Sequence, residues 1–550
     1  MRNWALSRWR RERPFSPALL AALSALSVGG ACGGRTELTS GPPKPPDPEC
    51  AVDADCMKDG DLCNPQVCEM VPVAYGDADA GMTIVLGQCV KTTPVDCDDN
   101  DPCTTDICQR DTGLCTYSPA TLDLDGDGHR APRPGFLPGA PASCGDDCDD
   151  TTAAAFPGNV EVCDGVDNDC NGVVDDNANF TPLGGGDVRI SGDIAPAGTG
   201  GLAYSGTSYA AAYTGTSGGF NVYLSTISPA GSVVTPPGEQ LVTLVNADAS
   251  GGPLVWVGDR YGLAWQDRRS GDYEVFFTIL DAAGTKKHAD TQLTFASGFS
   301  VNVAMTWNSS EFIVVWQDDR DGLFNLFGQR VSVDSAPIGS NVQLTTNTAN
   351  LGNEAPSVAS GFKTVGVAWA LGDATSHLIQ FQTFSPDLTQ PTSLPITLTD
   401  GATQAVYPSV VWNKDRYIIV WYDKTASPKA IYAAAVAEDG TVLTKATPVT
   451  SPGPFRSRYP SVRPLGDRLL LVYADDRDQN QGYEIYSRMI SPTLAPLTPE
   501  LRVTNAPRDS IYPIAAFGPE GNVGILFRDD RENGNQNVYF TRLGCVAGGL

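Results

Sequence analysis

"VNVAMTWNSSEFIVVWQDDRDGLFNLFGQRVSVDSAPIGSNVQLTT", residues 301–346, reads as four short strands in succession. The runs "VNVAMTW", "EFIVVWQ", "FNLFGQRVS" and "NVQLTT" are rich in β-branched and aromatic residues, and Ser, Gly, Asp and Pro turns separate them. The second run closes on an aromatic-x-Asp-x-Arg sequence, Trp316 to Arg320, which recurs at Trp265–Arg269, Tyr473–Arg477 and Phe527–Arg531. Degenerate copies stand at Tyr213, Trp369 and Trp421, so the aromatic positions are spaced by 52, 51, 53, 52, 52 and 54 residues. Seven copies of a four-strand unit predict an all-β fold, a seven-bladed β-propeller with four-stranded blades over residues 187–545.

The seventh copy, "FGPEGNVGILFRDDRENGNQNVYFTRLGC", supplies only three strands. The missing fourth stands at the other end, where "DVRIS" (Asp187 to Ser191) matches "RVTN" and "QLTT". Its insertion into the last blade would close the ring and remove the exposed edges of an open sheet. Cys545, just past the final strand, is available to tether that end to the segment upstream. The repeated Asp and Arg read as a turn device serving each blade, because a catalytic group would break the repeat. Tyr407-Pro408, Tyr459-Pro460 and Tyr512-Pro513 repeat as well and receive the same structural reading.

Upstream the texture changes. Between Asp47 and Asp176 there are 28 Asp and Glu against five Lys and Arg, a net of −23 out of −27 for the whole chain. Such a field repels nucleic acid and anionic lipid and attracts cations. Thirteen of the fifteen cysteines lie between Cys50 and Cys170, in a segment with no CxxC and one histidine, His129. That density favours a disulfide framework formed in an oxidising compartment over zinc sites.

"DLDGDGH" puts Asp123, Asp125 and Asp127 at alternate positions, with Gly128 sixth and the carbonyl of His129 seventh. Alternation lets every second side chain face a Ca²⁺ ion while the backbone turns. The twelfth position is Pro134 rather than a bidentate Glu, so the loop is not an EF-hand. "DNDCNGVVD" repeats the device with Asp167, Asp169 and Asn171, Gly172 sixth and Asp175 ninth. Asp146, Asp147, Asp149 and Asp150 add carboxylates between the two loops. The rival reading is that these are solvated turn residues. Two loops in so acidic a segment favour a structural Ca²⁺, held by Asp123, Asp125, Asp127, His129, Asp167, Asp169, Asn171 and Asp175.

"DLDGDGH…DCDDTTAAAFPGNVEVCDGVDNDCNGVVDD" resembles the MopE-type metal-binding motif of bacterial surface proteins, which implies a metal-binding segment. That family's name is linked with copper, whereas the oxygen-rich ligand set here suits Ca²⁺. Cys103-Thr-Thr-Asp-Ile-Cys108 resembles the Cys-Thr-x-Asp-x-Cys extracellular repeat, which implies a small disulfide-stapled module. "SVGGACGG" resembles the lipobox of bacterial lipoproteins, although Gly29 stands where that family has an aliphatic residue; the resemblance implies acylation of Cys32. Ordinary signal-peptidase cleavage is the alternative.

The expected organisation is a signal peptide (1–31), a Gly/Pro-rich tether (32–48), Cys-rich modules (49–120), an acidic metal-binding module (121–180) and the propeller. The expected location is an outer-membrane or cell-surface lipoprotein, otherwise periplasmic or secreted, with membrane contact only through the N-terminal lipid. No Gly-x-Ser-x-Gly or His-Glu-x-x-His occurs, and His288 and His377 do not match within their repeats. The sequence expectation is therefore a non-enzymatic protein that binds an extracellular glycan or protein partner through the propeller, and no nucleic acid. The alternatives are a propeller enzyme acting on extracellular glycans and a structural envelope component.

Overall fold

The computed structural model describes residues 47–547 apart from 57–59, 76–81, 162–165, 173–177, 193–197, 217–218, 235–239, 244–247, 348–350, 374, 400–402, 427–428, 479–481 and 533. The expected signal peptide, Cys32 and Asp175 lie outside the described residues, as does the side chain of Cys545. The chain divides into two compact units, residues 1–118 and 119–550.

In the first unit the hairpin Gln66–Tyr75/Met82–Lys91 and the pair Thr104–Cys108/Cys115–Pro119 are the only sheets among the described residues. Four disulfides hold them: Cys50–Cys68, Cys56–Cys89, Cys63–Cys108 and Cys97–Cys115. Cys103 of this unit is disulfide-bonded as well. Among the described residues, the buried apolar side chains of this unit are all cysteines. Covalent links therefore replace the hydrophobic core that so small a module cannot build.

The second unit contains seven antiparallel sheets in a ring. Each of the first six blades runs in sequence order from first to fourth strand, as in Ser300–Trp307, Phe312–Asp318, Asn325–Val331 and Pro337–Gln343. The second strands are buried on both faces, as Phe312–Asp318 is throughout, because neighbouring blades pack against both sides. Seven apolar clusters fill the joints between successive blades. The one uniting Tyr209 and Ala211 with Leu526 and Phe540 joins the last blade to the first. The ring is closed.

Closure uses the segment the sequence assigns to it. Val188–Arg189 pairs with Asn535–Ala547, Arg189 opposite Tyr539 and Val188 opposite Phe540, and supplies the fourth strand of blade seven. Fourth strands in five blades are only two residues long, as at Thr291–Gln292, and in blades three and five they are seven residues long. In long and short fourth strands alike, a threonine two residues beyond the strand accepts a third-strand N–H: Val275 N to Thr294 Oγ1 at 2.8 Å, Leu326 N to Thr345 Oγ1 at 2.8 Å, Ile485 N to Thr504 Oγ1 at 2.8 Å. Blade seven does the same with Ser191, whose Oγ accepts from Val538 N at 3.0 Å. A further strand, Ala178–Pro182, pairs beyond it on the same partner, with Phe180 opposite Cys545.

First strands line the axis, and each is bulged at one place, as between Val301 and Ala304 or Val406 and Ser409. The bulge puts Asn302, Ala355, Tyr407, Tyr459 and Tyr512 in the left-handed region, with φ of 53°, 49°, 53°, 53° and 55°.

Candidate metal centre and the axial mouth

The turns that crowd the aspartates are made by the aspartates themselves. Asp123 accepts from Gly126 N at 2.7 Å and Gly128 N at 3.1 Å, and Asp127 accepts from His129 N at 2.8 Å. Both glycines have positive φ, 84° and 99°, as such a tight turn requires. In the second loop Asp167 accepts from Asn171 N at 3.1 Å and Gly172 N at 2.8 Å, with Gly172 at φ 90°. Both loops are thus tight turns closed by their own carboxylates.

These bonds use only part of the carboxylate capacity. Carboxylate oxygens of Asp123, Asp125 and Asp127 lie within 4.8 Å of one another, and so do those of Asp125, Asp147 and Asp150. Asp147 is fully buried, and its Oδ2 has no hydrogen-bond partner; the same holds for Asp125 Oδ2 and Asp127 Oδ2. A buried carboxylate oxygen without a donor costs about 1–3 kcal/mol, and more when charged, unless a cation takes the lone pair. Burial pushes the Asp147 carboxyl above its usual range, and the charges of Asp127, Asp125 and Asp150 push the same way. Near the second loop Glu161 accepts from Asp169 N at 2.8 Å and is buried, with Oε2 unpartnered. Burial raises its carboxyl too.

Of the residues expected as ligands, the structure brings Asp123, Asp125 and Asp127 together. The ring of His129, whose carbonyl rather than imidazole was the expected ligand, has Nδ1 3.1 Å from Asp146 Oδ1 and its face stacked on Phe156 at 5.1 Å. The hydrogen bond to Asp146 holds its pKa above the ordinary imidazole value. Asp169 binds the side chain and backbone of Asn171. Asp147 and Asp150 enter the acidic cluster, and Glu161 stands beside the second loop, without having been assigned as ligands. Asp147 and Asp149 alternate as the others do, so the same rule could have singled out that run; Glu161 carries no such signal. The disulfide Cys148–Cys170 ties the Asp147 segment to the Asp169 loop. Copper would call for imidazole or thiolate. Here the imidazole faces Asp146 and both neighbouring sulfurs are oxidised, so the donor set fits a hard cation.

A second concave feature lies on the propeller axis. First-strand residues from six blades surround a cavity of about 510 Å³, lined among others by Asn302, Glu354, His377, Tyr407, Tyr459 and Tyr512. Sequence reasoning assigned the tyrosines to blade structure and His377 to no site; the bulge gathers the tyrosines, and His377 joins them from the start of the third strand of blade four.

The family described as "Putative metal-binding motif" matches residues 147–176. A comparison with curated proteins finds no match. Among solved structures, the chain is similar to a thermostable family-43 glycoside hydrolase at 13% identity, covering 48% of this chain and 98% of that one, with a TM-score of 0.32. An oligogalacturonate lyase from Vibrio parahaemolyticus matches at 14% identity, covering 66% and 96%, with a TM-score of 0.40. A prolyl endopeptidase matches at 12% identity, covering 64% of this chain and 47% of that one, so this chain spans about half its length; the TM-score is 0.40. Likeness at this level is one of fold. The expectation of a protein without enzymatic activity is not upheld: glycoside hydrolases and a peptidase stand among the matching structures, and at this similarity they bear on the fold alone. What the chain contains is a β-propeller joined to a disulfide-rich metal-binding motif.

Proposed function

We propose that this is an exported protein, anchored through an acylated Cys32, whose acidic module holds structural Ca²⁺ and whose propeller engages an extracellular ligand at its axial mouth. The observation that carries the reading is the set of buried, unpartnered carboxylate oxygens at Asp125, Asp127 and Asp147, the last of which opens the segment 147–176 matched as metal-binding. A divalent ion neutralises them and turns mutual repulsion into cohesion. The disulfides support folding in an oxidising compartment outside the cytoplasm. A propeller enzyme acting on extracellular glycans is the second reading. It is favoured by the ionisable groups Glu354, His377 and Lys424 on the same cavity wall.

Calorimetry with and without exhaustive chelation tests the metal. Extracellular sites of this kind bind at about 10⁻⁴–10⁻³ M, so Ca²⁺ at ten times Kd should add about 1.4 kcal/mol. The expected result is a melting temperature lowered by EDTA and restored by millimolar Ca²⁺ but not by Cu²⁺. In the Asp147→Asn variant the response to Ca²⁺ should shrink. Identical melting under all conditions would remove the metal from the proposal.

A further inference from the structure

The bulge in the first strand recurs around the ring, but its occupants differ from one side to the other. Blades three and four place Asn302 and Ala355 at the left-handed position; blades five, six and seven place Tyr407, Tyr459 and Tyr512 there. A left-handed backbone disfavours a bulky side chain by roughly 1–2 kcal/mol, whereas Asn tolerates it and Gly is indifferent to it. Blade geometry therefore does not ask for tyrosine, as the other half of the ring demonstrates. Three strained aromatics on neighbouring blades point to a role that the fold alone does not supply.

Their rings form a continuous wall. Tyr459 lies 4.0 Å from Tyr512, centroid to centroid, and meets Tyr407 edge-on at 5.5 Å. Tyr422 backs the wall, parallel to Tyr407 at 5.9 Å and edge-on to Tyr459 at 5.5 Å. The guanidinium of Arg528 sits over the Tyr512 ring at 4.7 Å. Despite this support, Tyr407 remains 47% exposed at the cavity. The rest of the lining mixes polar groups with the apolar side chains of Val303, Ala355, Pro356 and Ala370. Asn302 is fixed there, its N–H donated to Gln266 Oε1 at 2.7 Å and its Nδ2 to Gln317 Oε1 at 2.8 Å. Glu354 and His377 of blade four and Lys424, which follows the second strand of blade five, add one carboxylate, one imidazole and one ammonium. The volume, about 510 Å³, falls in the range of roughly 300–1,000 Å³ that small-ligand sites occupy.

We infer that the axial mouth is a saccharide site, in which the C–H face of a pyranose ring lies on the Tyr407–Tyr459–Tyr512 wall while its hydroxyls meet Asn302, Glu354, His377 and Lys424. The inference rests on the proposed ligand-binding role and names its substrate class. An aromatic face is electron-rich and receives the weakly positive C–H groups of a sugar. Hydroxyls, being both donors and acceptors, are matched by a wall that offers carboxamide, carboxylate, imidazole and ammonium together. A purely apolar ligand would leave those polar groups unmatched. An anion would face Glu354.

The test is a binding panel on the full exported chain, using cello-, xylo-, arabino- and galacturono-oligosaccharides followed by saturation-transfer NMR and calorimetry. At least one member should bind, and the neutral and uronate arms separate recognition of hydroxyls from recognition of a carboxylate by Lys424. Tyr407→Asn should weaken that binding by at least about tenfold while leaving the melting temperature unchanged or higher, because it relieves the left-handed strain. A merely structural tyrosine would lower the melting temperature instead. The saccharide site is overturned if no member of the panel binds, or if Tyr407→Asn binds as tightly as the unaltered chain. Retention of a peptide from surface extracts by both forms would overturn the saccharide class yet leave ligand binding by the propeller standing. The effect of chelation bears on the acidic module alone.

Discussion

Asp318 shows how much chemistry one repeated carboxylate concentrates. It is 1% exposed, and it accepts from Trp316 Nε1 at 3.0 Å, Ser300 Oγ at 2.8 Å, Arg320 N at 3.1 Å and the Arg320 guanidinium at 2.6 and 2.7 Å. Asp475 and Asp529 are held in the same way by Ser457 with Arg477 and by Ser510 with Arg531. The aromatic-x-Asp-x-Arg repeat was legible as a turn device, and the Asp does accept the N–H two residues on. Its burial was not legible, because the Ser that shields it comes from a different strand. An exposed pair would contribute about 0–1 kcal/mol, whereas breaking a buried one costs about 3–5 kcal/mol. Asp318→Asn should therefore lower unfolding stability by about 3–5 kcal/mol in urea titration at neutral pH. Burial alone would raise this carboxyl, but the bonds from Arg320, Trp316 and Ser300 outweigh it and hold the pKa below the usual range. A depressed carboxylate stabilises above its unfolded value of about 3.9 and loses that contribution as pH falls through the lower folded value. The gap between the two proteins should accordingly close below about pH 3.9. A gap independent of pH would mean that the charge of Asp318 contributes nothing.

The fourth strand of blade seven is an element whose identity can be argued from its bonds. Arg269 of blade two reaches Asp290, just before the fourth strand, at 2.8 Å, and Arg477 of blade six reaches Glu500 at 2.6 Å. In blade seven Arg531 reaches Asp187 at 2.7 Å, although 344 residues separate them in the chain. "DVRIS" thus brings its own carboxylate, its own two-residue strand and its own hydroxyl, and these made it recognisable in the sequence. Ala178–Pro182 was not recognisable, because "ANFTP" has none of those marks. Its pairing follows from the length of Asn535–Ala547, which at 13 residues leaves an edge to be covered. Ile190 is 4% exposed in the cluster joining blades seven and one. Ile190→Ala should cost about 2–5 kcal/mol. Ser191→Ala, which strips the buried Val538 N–H of its acceptor, should cost about 1–3 kcal/mol. Thermal and urea unfolding measure both. Values near zero would show that the ring holds without its N-terminal strand.

At the scale of the whole molecule, two ways of staying folded are joined in one chain. The propeller is held by seven apolar clusters, one at each blade joint, with Trp265, Trp316 and Trp421 essentially fully buried among them. Before residue 178 the described buried apolar side chains are Cys50, Cys56, Cys63, Cys97 and Ala155. That part has cross-links and crowded carboxylates where the propeller has a core. Composition made the division legible, since cysteine density and the excess of negative charge both fall sharply after residue 176; the ligand arrangement was not, because it depends on which carboxylates the disulfides bring together. The two parts should therefore fail under different conditions. Reduction combined with chelation leaves the cysteine-rich part with neither cross-link nor counter-charge, so limited proteolysis should digest residues 47–177 rapidly. The same treatment leaves the blade cores untouched, and a resistant fragment beginning near residue 178 should persist in mass spectrometry. Either agent alone should give slower digestion than both together, because ions and cross-links support the same loops through Asp147 and Cys148–Cys170. If the propeller were digested at the same rate as the acidic part, its stability would have to depend on that part, and the blade cores would not suffice to hold the ring.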